Sequence, residues 1–193
     1  MKISETIVEK AKQLMQERTK VNGAPAWGLT ELTVEKGRML AKEYGVDESL
    51  VATASYLAHI VFSKERDSEI MKNHMFLSAK EAEEKLLGWG ADTDIAQKVK
   101  RAIELHHTPT NTKDLYFEVV KNADCFKFLS IEGMRVFLED LKERGMSEDE
   151  AQEYAKYKVK QKYGYLTLNK AKEEVDAALA EIEKMLDGTH TIS

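Results

Sequence analysis

The chain has 193 residues, enough for one domain with a sizeable core, and its single cysteine, Cys125, excludes an internal disulfide. Its net charge of -5, from 29 basic and 34 acidic side chains with no basic run, argues against a broad nucleic-acid surface. No apolar stretch approaches the roughly 20 residues that span a bilayer, and Met1 to Glu5 lack a signal peptide's apolar core, so a cytoplasmic setting with no membrane partner is expected.

Helical periodicity dominates, and only Pro25 and Pro109 could interrupt it. The first helix is expected from about Ser4 to Arg18, with Ile3, Ile7, Ala11, Leu14 and Met15 on one face. A loop, Val21 to Pro25, follows. The second helix runs from about Thr30 to Tyr44 and stops at Gly45. Asp47 caps a third through about Phe62. That helix is apolar almost all round, so it should be the buried central one.

A charged turn, Ser63 to Asp67, leads into a helix ending at Leu87 before Gly88-Trp89-Gly90. Asp92 starts the next, with Ile95, Val99, Ala102, Ile103 and His106 on one stripe, and Pro109 ends it. Asp114 opens a helix from Leu115 to Ile131 that Gly133 closes. A short one follows from Met134 to Arg144, before Gly145. Ser147-Glu148-Asp149-Glu150 has capping-box spacing, and a last helix spans about Asn169 to Leu186. The tail from Gly188 is expected to fray. The prediction is a single all-α domain, residues 1–193, of about eight helices.

The chemistry-bearing residues fall on buried stripes. His106 lies three residues after Ile103 and seven after Val99; Asp124 lies between Val120 and Phe128 at helical spacing. His59 sits in the most apolar segment, and His74 lies between Ile70 and Leu77. Buried ionisable groups need partners, so His59, His74, His106, His107 and Asp124 are expected to meet one another or a ligand in one pocket. Of the adjacent pair, His106 is the better placed, because helix neighbours point about 100° apart. Imidazole nitrogens and a carboxylate oxygen are also the usual ligands of one divalent transition metal. Taken singly, each histidine reads as a hydrogen-bonded core residue. Arg66, in the charged turn, could hold a phosphate, although such a run is usually a solvated turn. Trp27 and Trp89 read as packing anchors, and Cys125 as a small core residue.

From about Gly28 to Gly133 the chain resembles the histidine–aspartate (HD) superfamily of helical, metal-dependent phosphohydrolases. Gly45-Val46-Asp47 before the apolar helix, Ile103-Glu104-Leu105-His106-His107, and Val119-Val120-Lys121-Asn122-Ala123-Asp124 carry the likeness, and 134–187 supply C-terminal helices. The departures matter more. Where the family places its His-Asp doublet this chain has Ala58-His59, or His59-Ile60 after a one-residue shift, and the family's first histidine falls near Leu29, with no histidine here before His59. At least two of the four core ligands that the resemblance implies are absent, so metal-activated water cannot be assembled in the usual form.

Two functions follow. One is a degenerate, non-catalytic HD-like protein that binds a ligand or acts as a scaffold through the histidine/aspartate pocket. The other is a divergent phosphohydrolase acting on a nucleotide or small phosphate ester, with a mononuclear metal held by His59, His74, His106 or His107, and Asp124. The first is preferred, because fold does not carry function once site residues are lost. Either implies a small phosphorylated ligand, and the amphipathic C-terminal helices offer a face for a homodimer.

Overall fold

A computed structural model describes residues 2–64 and 68–187. Among them the chain forms nine α-helices and no strand, in line with the about eight expected from the sequence. α1 (Glu5–Asn22) begins at Ser4, whose side chain accepts from Ile7 N, and ends at Gly23, which takes a left-handed φ of 66°. α2 (Trp27–Tyr44) starts three residues earlier than expected, and the Trp27 ring stacks on Tyr56 at 6.3 Å. α3 (Glu48–Leu57) is capped by Asp47, whose carboxylate accepts from Leu50 N at 2.9 Å. α4 (Ser68–Gly88) and α5 (Thr93–Leu105) pair closely, followed by α6 (Leu115–Leu129), α7 (Ile131–Glu143), α8 (Glu148–Tyr163) and α9 (Asn169–Leu186).

Two helices form the centre. α3 is buried from Leu50 through Leu57, as its sequence predicts. α6 is buried from Glu118 through Leu129, although it carries Glu118, Lys121, Asp124 and Lys127. α2 packs against both of them. At Gly37 it comes so near that a Cβ would lie 2.9 Å from Val51 Cγ1 of α3 and 3.4 Å from Ala123 Cβ of α6.

Two predicted boundaries are corrected. α3 stops at Leu57 rather than Phe62, and residues 58–61 form a turn. α6 stops at Leu129, because Ser130 adopts an extended conformation (φ -127°, ψ 153°). Its hydroxyl donates to Phe126 O at 2.8 Å and accepts from Gly133 N at 3.1 Å, which closes one helix and caps the next. Gly133 therefore lies in the first turn of α7 and does not terminate α6. A Cβ there would meet Phe126 O and Lys127 O at 2.7 Å, so glycine allows α7 to start directly against the end of α6.

Candidate functional site

Four elements deliver the site. His59 lies on the turn after α3, His74 on α4, His106 and His107 on the turn ending α5, and Asp124 in the middle of α6. Three of the histidines thus sit just past helix ends, not inside helices as expected. That is why both members of the His106-His107 pair face inward: at the end of α5 the 100° rule no longer separates them. All four rings offer a nitrogen lying within 4.8 Å of the others'. His106 Nε2 is 3.3 Å from His59 Nε2, and the His74 and His107 ring centroids are 4.9 Å apart. Phe62, 4.8 Å from the His74 ring, forms an apolar wall.

Hydrogen bonds fix most of the tautomers. A carbonyl only accepts, so His74 Nδ1–H donates to Met71 O at 2.8 Å and His106 Nδ1–H donates to Ile103 O at 2.5 Å. Both rings then present a bare Nε2 to the centre, and His74 Nε2 is buried with no hydrogen-bond partner. His107 Nε2–H donates to Asp124 Oδ2 at 3.0 Å, leaving its Nδ1 bare. His59 Nε2 faces both His106 Nε2 and the Lys127 ammonium, each at 3.3 Å. Burial holds all four imidazoles neutral: His59, His74 and His107 are pushed below the ordinary histidine range, and His106 is lowered to about 3. Rings whose outer N–H is tied to an oxygen while the inner nitrogen is bare have the arrangement found at metal centres.

Asp124 sits behind this cluster. Lys127 Nζ pairs with its Oδ1, and Lys162 Nζ, from α8, donates to its Oδ2 at 2.8 Å. His59 Nε2 is 3.7 Å from Oδ1. Burial pushes the carboxyl's pKa up, but the two ammonium groups and the His107 N–H more than reverse that and hold it well below the carboxylate range. One carboxylate therefore faces two buried ammoniums and four neutral rings. The nitrogen atoms that could share an ion are those of His59, His74, His106 and His107, while Asp124 is occupied by lysines.

Sequence reasoning missed both lysines. Lys127 had a local signal, an i,i+3 spacing from Asp124 on one helix face, but that pattern usually marks a solvated pair. Lys162 is 38 residues away from Asp124 and had none.

A cavity of roughly 270 Å³ opens onto the cluster. His59, His74, His107 and Lys127 line it, with Arg144 and Lys158 as further cations and Phe62, Met71, Phe128, Phe137 and Tyr154 among its apolar walls. Arg144 pairs with Asp140, yet its buried Nε has no hydrogen-bond partner. Lys158 Nζ lies 5.5 Å from the centre of the Tyr154 ring, and burial, with Lys162 nearby, lowers its pKa to about 8. A larger, more open cavity of about 470 Å³ lies between α8 and α9, where Lys156, Lys160, Glu183 and Asp187 all reach the rim. No described histidine lines it, and the histidine cluster borders the smaller cavity. Arg66 lies outside the described residues; among those described, Lys127, Arg144 and Lys158 are the cations lining the cavity. Cys125 is fully buried, its thiol pushed up to about 12 by burial, which leaves it an inert core residue. No described helix is long and apolar enough to cross a membrane.

No protein-family model and no curated protein sequence matches the chain. Solved structures do. A Lactobacillus plantarum protein, a structural-genomics target, superposes with a TM-score of 0.72 at 14% identity, over 96% of each chain. Bacillus subtilis YpgQ in complex with ADP gives 0.64 at 18% identity, over 95% of this chain and 100% of that one. A second crystal structure of Bacillus subtilis YpgQ gives 0.64 at 17% identity, over 97% of this chain and 100% of that one. At such identities the likeness establishes a shared helical fold.

Proposed function

We propose that this protein is a non-catalytic, HD-like binding protein whose histidine-lined cavity takes a small phosphorylated ligand without hydrolysing it. The observation that carries this reading is the state of Asp124. In a metal-dependent phosphohydrolase the carboxylate would neutralise the ion that activates water; here two buried ammonium groups claim it. The residue types missing from the sequence, an aspartate at Ile60 or His59 and a histidine near Leu29, point the same way. The cavity's cations, Lys127, Lys158 and Arg144, suit a phosphate, and its apolar walls suit an organic body. A protein of this fold, YpgQ, has been crystallised with ADP, which makes ADP the natural first probe.

A second reading has its own support. The bare, inward nitrogens of His74 and His106, each fixed by a carbonyl behind it, suit a mononuclear transition-metal site. A bound metal would supply hydroxide for hydrolysis of a nucleotide or small phosphate ester. This chain's own part would be to position that ester with Lys127, Arg144 and Lys158.

Calorimetric titration of untagged protein with ADP in the presence of chelator, alongside a phosphate-release assay with manganese or nickel, separates the two. Saturable binding in chelator with no phosphate release is expected. Metal-dependent phosphate release, or binding that chelator abolishes, would overturn the non-catalytic reading in favour of the second.

A further inference from the structure

Lys127 has a feature that pairing with Asp124 alone does not explain. Its ammonium touches two groups at once: it pairs with Asp124 Oδ1 and lies 3.3 Å from His59 Nε2. Those two atoms are themselves 3.7 Å apart, and His59 Nε2 is 3.3 Å from His106 Nε2. Ligands about 2.1 Å from a tetrahedral ion lie roughly 3.4 Å from one another. Asp124 Oδ1 and His106 Nε2 therefore each lie from His59 Nε2 at about the distance of atoms sharing a metal ion. The cation in contact with two of them is a lysine from the same helix as Asp124. Lys162 does not share this position: it reaches the other oxygen, Oδ2, beside His107.

We propose that Lys127 is a tethered cation seated in a latent transition-metal site, and that removing its ammonium opens that site to a divalent ion held by His59, His106 and Asp124, with His74 Nε2 within reach. The inference rests on the metal-free reading above and gives its cause. An ion entering the native site would have to displace a buried ammonium from its carboxylate or sit against it, and like charges at such separations strongly oppose each other in a buried site. Once the ammonium is gone, Oδ1 faces His59 with no other cation on it, while Lys162 and His107 continue to hold Oδ2. The three ligands then combine two neutral imidazoles with one carboxylate, a set that suits zinc, cobalt, nickel or manganese.

The test uses the full chain and cobalt(II), whose visible absorption becomes intense when it is bound by few ligands. Lys127→Met keeps the length of the stem without its charge; Lys127→Leu serves if the first variant does not fold. Native protein should show no such band. Lys127→Met should bind one cobalt ion at least about a hundredfold more tightly than native protein, with the band present. His59→Ala placed on top of Lys127→Met should lose it, and Lys162→Met alone should not gain it. If a folded Lys127 variant takes up no cobalt, or Lys162→Met gains the same site, the inference fails and the metal-free reading stands. If the native protein already shows the band, the metal-free reading itself fails.

Discussion

α6 carries two buried ionic groups that look alike in sequence and differ in kind. Toward its N-terminus, Glu118 and Lys121 pair at 2.7 Å, and every partner is supplied. Thr112 donates to Glu118 from both its backbone and its hydroxyl at 2.7 Å, Thr167 donates to the other oxygen, and Lys121 reaches Thr110 O at 3.0 Å. Asn122 accepts from Thr167 N at 3.0 Å and Leu168 N at 3.2 Å. One turn later, Asp124 and Lys127 have the same i,i+3 spacing, but their surroundings are unfinished. His74 Nε2 lacks a hydrogen bond, a second lysine crowds the carboxylate, and a cavity opens alongside. A satisfied network ties loops to a helix. The second leaves a bare imidazole nitrogen and surplus positive charge beside a cavity.

Acid should separate the two groups by the largest margin. The four imidazoles are held neutral in the fold, so below the unfolded histidine pKa of about 6.5 only the unfolded chain takes up their protons. Their contribution is complete above that pH and is lost as pH falls toward the folded values, about 3 for His106. At one unit below 6.5 a ring that stays neutral in the fold, as His106 does, costs about 1.4 kcal/mol. Asp124 and Glu118 are both lowered in the fold, so their contributions stay constant until pH falls below about 4. Urea denaturation from pH 7.5 to 5.5 should show this slope, and His106→Gln should reduce it by about one proton's worth. A flat profile would mean that the imidazoles are not buried neutral.

Lysine removal should sharpen the contrast. Lys121→Met leaves Glu118 buried without its counter-charge and should cost about 3–5 kcal/mol in chemical denaturation, with ligand affinity in the cavity unchanged once folded. Gly133→Ala would press a methyl group on the carbonyls of Phe126 and Lys127, and about 1–3 kcal/mol should be lost. Lys127→Met should cost the least, about 1 kcal/mol or less, because Lys162 and His107 still hold Asp124. Equal costs for Lys121→Met and Lys127→Met would erase the distinction between the two groups.

Most of the architecture is legible in the chain. Ser4, Asp47, Asp114 and Ser147 each cap the helix their position predicts, and Gly45 ends α2. The failures have physical causes. The end of α3 falls inside an apolar run with no stop signal, so only packing places His59 on a turn. The break between α6 and α7 is made by Ser130, a residue that also occurs inside helices, while the nearby glycine serves close approach instead. The convergence of the histidines with Asp124 could be anticipated, since buried ionisable groups need one another. That lysines would be buried with them could not. A lysine three residues from an aspartate normally marks a wet helix face, and Lys162 enters from α8, which sequence spacing does not connect to α6.

Lys127 and Lys162 both pair with Asp124, which leaves it no free oxygen for a metal. Thermal melts of untagged native protein with chelator, with manganese and with nickel test this most directly, since a metal bound only by the folded state raises its stability. The account predicts one melting temperature in all three conditions. A drop in chelator that either metal restores, and that Asp124→Asn abolishes, would contradict it.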